Sequence, residues 1–213
     1  MNAQTHTRIK FCGMTHADDI ALACELGVDA IGLVFAERSS RRLTIEQARA
    51  LRAGIAEGIE VVALFMDNDA ATVQRVIDAV RPTVLQFHGR EDEAFCAAFD
   101  MPYFKAVAMG GDVAADALSH HPRAVALLLD SHASGGAGGT GHAFDWSRIP
   151  RESARPFLLA GGLHPENIFD AVTAVHPWGV DVSSGIESAP GEKDAAKMRR
   201  FVEEVRRADS SER

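Results

Sequence analysis

The stretch from Glu60 to Phe87, EVVALFMDNDAATVQRVIDAVRPTVLQF, decides the fold. Glu60 to Met66 is a short apolar run rich in β-branched residues, Ala70 to Val80 is amphipathic, and Thr83 to Phe87 is apolar again. The reading is strand, helix, strand. Such alternation marks βαβ units, whose strands pair in parallel through right-handed crossovers.

The same phrase extends in both directions. Upstream, Arg8 to Cys12 and Asp29 to Phe35 are strands. Between them Thr15 and Asp18 form a short variant of a capping box that opens a helix, and Gly27 is its C-terminal stop. A loop from Ala36 to Leu43 carries Arg38, Arg41 and Arg42 into a helix that runs from Thr44 to Ala56. Downstream come a helix at Glu91 to Phe99, a strand at Tyr103 to Val107, a weaker helical piece at Asp112 to Ser119 and a strand at Ala124 to Asp130. After a glycine-rich loop, Ser131 to Ala143, and a turn at Asp145 to Ile149, the pattern closes. Its last members are a strand at Pro156 to Ala160, a helix at Pro165 to Val175, a strand at Gly179 to Val182 and a helix at Asp194 to Arg207.

Eight strands in 213 residues give roughly 27 residues per unit, near the lower limit for a (β/α)8 TIM barrel. The α/β competitor is a doubly wound open sheet. No GxGxxG follows the first strand, and the glycine-rich turns lie late in the chain, so the barrel is preferred. One barrel domain over residues 1–213 is expected, with a frayed tail at 208–213.

Composition narrows the class. With 46% hydrophobic and 24% charged residues the chain is neither disordered nor fibrous. A formal charge of -8 argues against nucleic-acid binding, which needs clustered positive charge. Cys12, Cys24 and Cys96 form no CxxC pair, and no apolar run approaches the roughly 18 residues that span a bilayer. A cytoplasmic protein without membrane partners is expected. Nine histidines are present without HExxH, so no metal site is assigned.

In a barrel the chemistry sits at the C-terminal ends of strands. Cys12, Gln86 with His88, Asp130 and Asp181 are the polar or reactive residues that close apolar runs. A lone cysteine is ordinarily a small packing residue. Lys10, however, precedes Cys12 by two and shares its strand face, where an ammonium favours the thiolate. Asp130 ends the uncharged run VALLL. It is either the partner of a buried cation such as Lys10 or a general acid, and an acid facing a base across the mouth suits proton transfer. Two glycine-bearing turns, Ala160 to Gly162 and Ser183 to Gly185, follow the seventh and eighth strands, where barrels often bind phosphate. A phosphorylated small substrate is the expectation. The Ser131 to Ala143 loop is either a linker or a lid over the site. One of the Arg38 to Arg42 guanidinium groups is a candidate two-pronged grip on a ligand carboxylate.

The segment Lys10 to Thr15, KFCGMT, is similar to the KICG(I/L)T opening of the phosphoribosylanthranilate isomerase family. The resemblance continues through Gly32 to Phe35 with Ser39 and Arg41, Gln86 to Gly89, Leu129 with Asp130, Gly138 to Trp146, Ala160 to Asn167, and Val180 to Asp194. Phe11, Met14, Phe87 and Ala143 depart from the pattern without removing a reactive group. The resemblance implies a cofactor-free Amadori rearrangement of N-(5-phosphoribosyl)anthranilate in tryptophan biosynthesis. It implies Asp130 as general acid, Cys12 as general base and Arg41 as the grip on the anthranilate carboxylate. Gly161, Gly162, Ser183, Ser184 and Gly185 would hold the phosphate, and Asp181 would contact ribose hydroxyls or orient Lys10. Lys10, Gln86 and His88 complete the expected substrate site, in a monomer or homodimer. A phosphopentose epimerase or a non-catalytic phosphate-binding barrel are the rival readings.

Overall fold

The computed structural model describes residues 6–110, 119–131, 146, 149 and 155–211. Eight parallel strands close into a barrel in chain order: β1 Arg8–Cys12, β2 Ala30–Val34, β3 Glu60–Phe65, β4 Val84–Phe87, β5 Tyr103–Ala108, β6 Ala126–Asp130, β7 Phe157–Leu159 and β8 Gly179–Val182. The seam is β1 against β8, with Lys10 opposite Asp181. Among the described residues the α-helices are α1 Ala17–Glu25, α2 Ile45–Arg52, α3 Ala70–Val80, α4 Glu93–Ala97, α5 Ile168–Val175 and α6 Ala195–Ser211. The segment Glu60 to Phe87 is therefore the βαβ unit its pattern predicts. The helical piece at Asp112 to Ser119 and the turn at Asp145 to Ile149 lie largely outside the described residues, as does the Ser131 to Ala143 loop beyond Ser131.

Period-two alternation sorts each strand between two cores. Ile9 and Phe11 of β1 join the apolar layer between sheet and helices. Ala30, Val62, Val84, Phe104, Leu128 and Leu158 fill the barrel interior instead. Its lower end is closed by Trp178, whose ring meets Phe104 edge-on with centroids 6.3 Å apart, and which lies under the Arg8 guanidinium. The upper end holds Cys12, Val34, Ala36 and Leu64. With a packed interior below and reactive side chains above, the described residues place the chemistry at the C-terminal mouth.

Three local expectations need correction. Thr15 does not cap α1: the N-cap is His16, without a side-chain cap bond, and the Thr15 hydroxyl donates to Gly191 O. Gly27, at φ +68°, does follow the helix end in the left-handed conformation that favours glycine. The second correction adds structure where a turn was expected. Ser184–Ile186 is a 3-10 turn, followed by an antiparallel hairpin of β9 Glu187–Ala189 and β10 Glu192–Lys193.

The third concerns the tail, which does not fray from residue 208. Helix α6 continues to Ser211, burying Met198, Phe201, Val202, Val205 and Ala208 on one face. Phe11 of β1 packs edge-on against Phe201 at 6.0 Å. At the end of the helix, the Asp209 carboxylate accepts from Thr7 N at 3.1 Å and from the Thr7 hydroxyl at 2.6 Å. Arg206 donates to Thr7 O at 2.7 Å. The last helix is thus fastened to the chain just before β1. Asp209→Ala strands the buried Thr7 donors and is expected to cost about 1–3 kcal/mol, a fall in Tm of roughly 2–12 °C. Thermal denaturation followed by circular dichroism checks this, and an unchanged Tm would show that the fastening contributes nothing.

Candidate active site

Lys10 and Cys12 point into the mouth from β1 as the alternation requires. Lys10 Nζ donates to Asp181 Oδ1 at 2.7 Å, with both groups buried. Asp130 is therefore not the partner of this ammonium. The space is provided by β2: a Cβ at Gly32 would lie 2.9 Å from Cys12 Sγ and 3.1 Å from Lys10 Nζ, so any side chain there would displace them. Burial is the largest influence on Lys10 and would lower its pKa, yet Asp181 and Cys12 together hold it above its ordinary value. Burial likewise dominates at Cys12, but it pushes the thiol up, and Lys10 pulls it back only in part. The sequence places the ammonium correctly; its effect on the thiol is smaller than that of desolvation.

Asp130 closes β6, and Oδ2 lies 3.4 Å from His88 Nε2. On the other side of the imidazole, Gln86 Nε2 is 3.3 Å from His88 Nδ1. With Gln86 donating, the histidine carries its proton on the nitrogen that faces Asp130. Gly161, after β7, makes room for this carboxylate: a Cβ there would fall 2.6 Å from Asp130 Oδ1 and 2.3 Å from Ser131 N.

Arg41 reaches the mouth from the loop after β2. Its stem crosses Gly13, where a Cβ would lie 2.4 Å from Arg41 Cδ, and Gly13 itself sits at φ +71°. The guanidinium donates through Nε and Nη2 to both oxygens of Glu187, at 2.7 and 2.6 Å. That hydrogen-bonded pairing raises the Arg41 pKa. Glu187 also accepts from Lys193 Nζ at 2.8 Å, and the same ammonium donates to Cys12 O at 2.8 Å and Ser183 O at 3.1 Å. Burial would raise the Glu187 carboxyl, but Arg41 and Lys193 outweigh it and hold it below the usual carboxylate range. The Lys193 pKa is lowered, burial outweighing the attraction of Glu187.

The two glycine-bearing turns meet. A Cβ at Gly185 would overlap Leu163 O at 1.8 Å, so the turn after β8 lies directly on the turn after β7. Asn167 braces the latter by donating to Gly162 O and accepting from His164 N, both at 2.9 Å. In the 3-10 turn the first internal bond comes from Ile186 N to Ser183 O. The N-H groups of Ser184 and Gly185 precede it and lie outside the internal ladder.

Cys12, Asp130, His88, Arg41, Asp181 and Ser183 line one cavity of about 270 Å³, with Val34, Leu64 and Met66 as its apolar wall. Gln86 stands behind His88, and Lys10 behind Cys12. Gly161 touches Asp130, and Gly162 and Ser184 lie in the adjoining turns. Among the described residues no group of three His, Cys, Asp or Glu side chains forms a metal site. Two residues of the cluster, Glu187 and Lys193, fall within the matched block Val180 to Asp194 but receive no role in the sequence reading. The available signal is the Pro190-Gly191 turn, which marks a hairpin. Its register sets Lys193 opposite Glu187.

Comparison with known proteins agrees with this geometry. The family model for N-(5'-phosphoribosyl)anthranilate isomerase matches residues 9–204. The chain is 63% identical over 206 residues to the N-(5'-phosphoribosyl)anthranilate isomerase of Stenotrophomonas maltophilia (strain R551-3), covering 95% of this chain and 94% of the relative. The enzyme of Xylella fastidiosa (strain M23) is 56% identical over 208 residues, covering 95% and 93% respectively. The fold superposes on phosphoribosyl anthranilate isomerase from Thermus thermophilus with a TM-score of 0.84 at 33% identity, over 97% of this chain and 100% of that one. A second structure, phosphoribosyl anthranilate isomerase in complex with reduced 1-(o-carboxyphenylamino)-1-deoxyribulose 5-phosphate, gives a TM-score of 0.81 at 32% identity, over 94% and 98%. With eight parallel strands closed around a mouth that gathers Cys12, Asp130 and Arg41, and with relatives alike along almost their whole length, the chain belongs to the N-(5'-phosphoribosyl)anthranilate isomerase family.

Proposed function

We propose that the barrel mouth carries out the Amadori rearrangement of N-(5-phosphoribosyl)anthranilate to 1-(2-carboxyphenylamino)-1-deoxyribulose 5-phosphate, with Asp130 as general acid and Cys12 as general base. The observation that carries the reading is that Cys12 and Asp130 line the same cavity as Arg41 and Ser183. Asp130 gives its proton to the furanose ring oxygen as the bond from that oxygen to C1' breaks, and the nitrogen lone pair forms the C1'–N double bond of a Schiff base. The Cys12 thiolate then takes the C2' proton. The released electron pair forms the C1'–C2' double bond as the C1'–N π pair returns to nitrogen, giving an enolamine, and its tautomerisation to the ketone completes an isomerisation with no external oxidant or reductant.

The surroundings support these roles. His88 faces the Asp130 carboxylate and Gln86 fixes the ring, so the pair would hold the acid in place against the ribose. Lys10 favours the thiolate, and Asp181 keeps that ammonium charged and oriented. The Nε–Nη2 edge of Arg41 is taken by Glu187, which leaves the Nη1 side for the anthranilate carboxylate. The backbone N-H groups around Gly161, Gly162, Ser183, Ser184 and Gly185 would receive the phosphate. No helix among the described residues is long and apolar enough to cross a membrane. One barrel domain acting in the cytoplasm on a small phosphorylated substrate, as monomer or homodimer, completes the reading. A related protein of Thermotoga maritima is described as dimeric.

Complementation of a tryptophan auxotroph lacking this isomerase tests the activity; soluble expression without growth would sink it. Acid and base catalysis each contribute about 10²–10⁴-fold. Cys12→Ser and Asp130→Asn are accordingly expected to lower kcat by at least about 10²-fold with Tm nearly unchanged, and near-native turnover by either variant would remove its assigned role.

The raised thiol gives a second test. Lys10→Met, made together with Asp181→Asn so that no buried charge is orphaned, removes more thiolate-stabilising than thiolate-opposing charge. The thiol then rises further. At pH 7 kcat/KM is expected to fall by about tenfold for each further pH unit of displacement, and the deficit relative to the parent should shrink only once the pH passes the parent's own raised thiol pKa. A Cys12 thiolate titration, followed by ultraviolet absorbance, that is unmoved in the variant would mean that Lys10 does not act through Cys12.

A further inference from the structure

We infer that Glu187 and Lys193 are positioning residues for ligand recognition, which aim Arg41 at the carboxylate of the substrate while keeping the site cationic. The inference rests on the reading that Arg41 receives that carboxylate. A carboxylate beside a cation meant for an anionic ligand is electrostatically unfavourable unless it does something else. Here it fixes direction. Arg41 is held at three points: its backbone N-H donates to Ser39 Oγ at 3.1 Å, its stem lies across Gly13, and its Nε–Nη2 edge pairs with both Glu187 oxygens. A long side chain fixed in this way has lost its rotamer freedom on folding, so that cost does not fall on binding.

Lys193 supplies what the Arg41–Glu187 pair lacks. Alone, the pair is neutral toward an incoming anion. With the buried Lys193 ammonium 2.8 Å from the same carboxylate, the three groups carry one net positive charge. The Lys193 ammonium also binds Cys12 O and Ser183 O. One buried cation therefore links the strand end that bears the base, the turn after β8 and the carboxylate that orients Arg41. The hairpin register, Lys193 opposite Glu187, is what delivers it.

The test uses purified full-length protein with Glu187→Gln, Glu187→Asp, Lys193→Met, Arg41→Met and the double variant Arg41→Met/Glu187→Gln. The measurements are kcat, KM, and inhibition by reduced carboxyphenylaminodeoxyribulose phosphate and by its phenyl counterpart lacking the carboxylate. A charge-assisted hydrogen bond corresponds to roughly tenfold or more in affinity. Glu187→Gln is expected to raise KM and weaken the carboxylated inhibitor by about tenfold, with a much smaller effect on kcat and on the phenyl counterpart. Glu187→Asp, which keeps the charge but shortens the reach, should fall between parent and Glu187→Gln, and it carries the test if Glu187→Gln does not fold. Lys193→Met should show the same selective loss. In the double variant the Glu187→Gln change should add little to Arg41→Met. If Arg41→Met discriminates between the inhibitors and the Glu187 variants weaken both equally, the inference is overturned and the reading of Arg41 stands. If Arg41→Met does not discriminate, that reading fails and the inference falls with it.

Discussion

The Lys10 ammonium, buried inside the barrel and paired with Asp181 across the closing seam, is the interaction on which the rest of the structure depends. It faces two demands at once. As a buried cation it requires a partner, because removing one member of such a pair costs about 3–5 kcal/mol. As the neighbour of Cys12 it opposes, in part, the burial that keeps the thiol protonated. The seam between β1 and β8 satisfies both, since the parallel register sets Lys10 directly opposite Asp181 and leaves Cys12 one inward position higher. Helix α6 fastens the outer side of the same strand through Phe201 and, beyond it, Asp209. Barrel closure and the state of the base are thus fixed by the same strand.

Net charge takes on a different meaning in this arrangement. The whole chain carries a formal -8, while the proposed ligand bears a phosphate and a carboxylate. Recognition must therefore come from short-range groups held where water is scarce. Lys10 with Asp181 is neutral, so it tunes the base without attracting an anion. Arg41, Glu187 and Lys193 together keep one positive charge, on the side of the mouth where the Arg41 loop and the last hairpin meet. The cationic character of the site is local, and it depends on a lysine that the open loops do not supply.

Much of this was legible in the sequence, for identifiable reasons. Strand periodicity is a local signal, so Glu60 to Phe87 yields its unit and places Cys12, Asp130 and Asp181 at strand ends. Lys10 on the face of Cys12 follows from a spacing of two. What was not legible depends on who meets whom across the barrel. Asp130 and Asp181 are both carboxylates at strand ends, and only the β1–β8 register decides which takes the ammonium. Thr15 has the right spacing for a cap, yet its hydroxyl goes to Gly191 in a hairpin 176 residues away. Fraying is expected over 208–213, yet helix α6 continues to Ser211, because the Thr7 donors that hold Asp209 lie at the other end of the chain.

The glycines carry the last step. As sequence features, Gly13, Gly32 and Gly161 are turn formers or motif letters. In three dimensions each adjoins a residue of the proposed chemistry: Gly13 gives way to the Arg41 stem, Gly32 to Cys12 Sγ and Lys10 Nζ, and Gly161 to the Asp130 carboxylate. A site this crowded holds its acid, base and anchor by close contact on the side away from the cavity, so each has few alternative rotamers. That explains why substitutions at residues without functional groups would act on the chemistry directly. The reactive groups are placed by the backbone that makes room for them as much as by the partners that bind them.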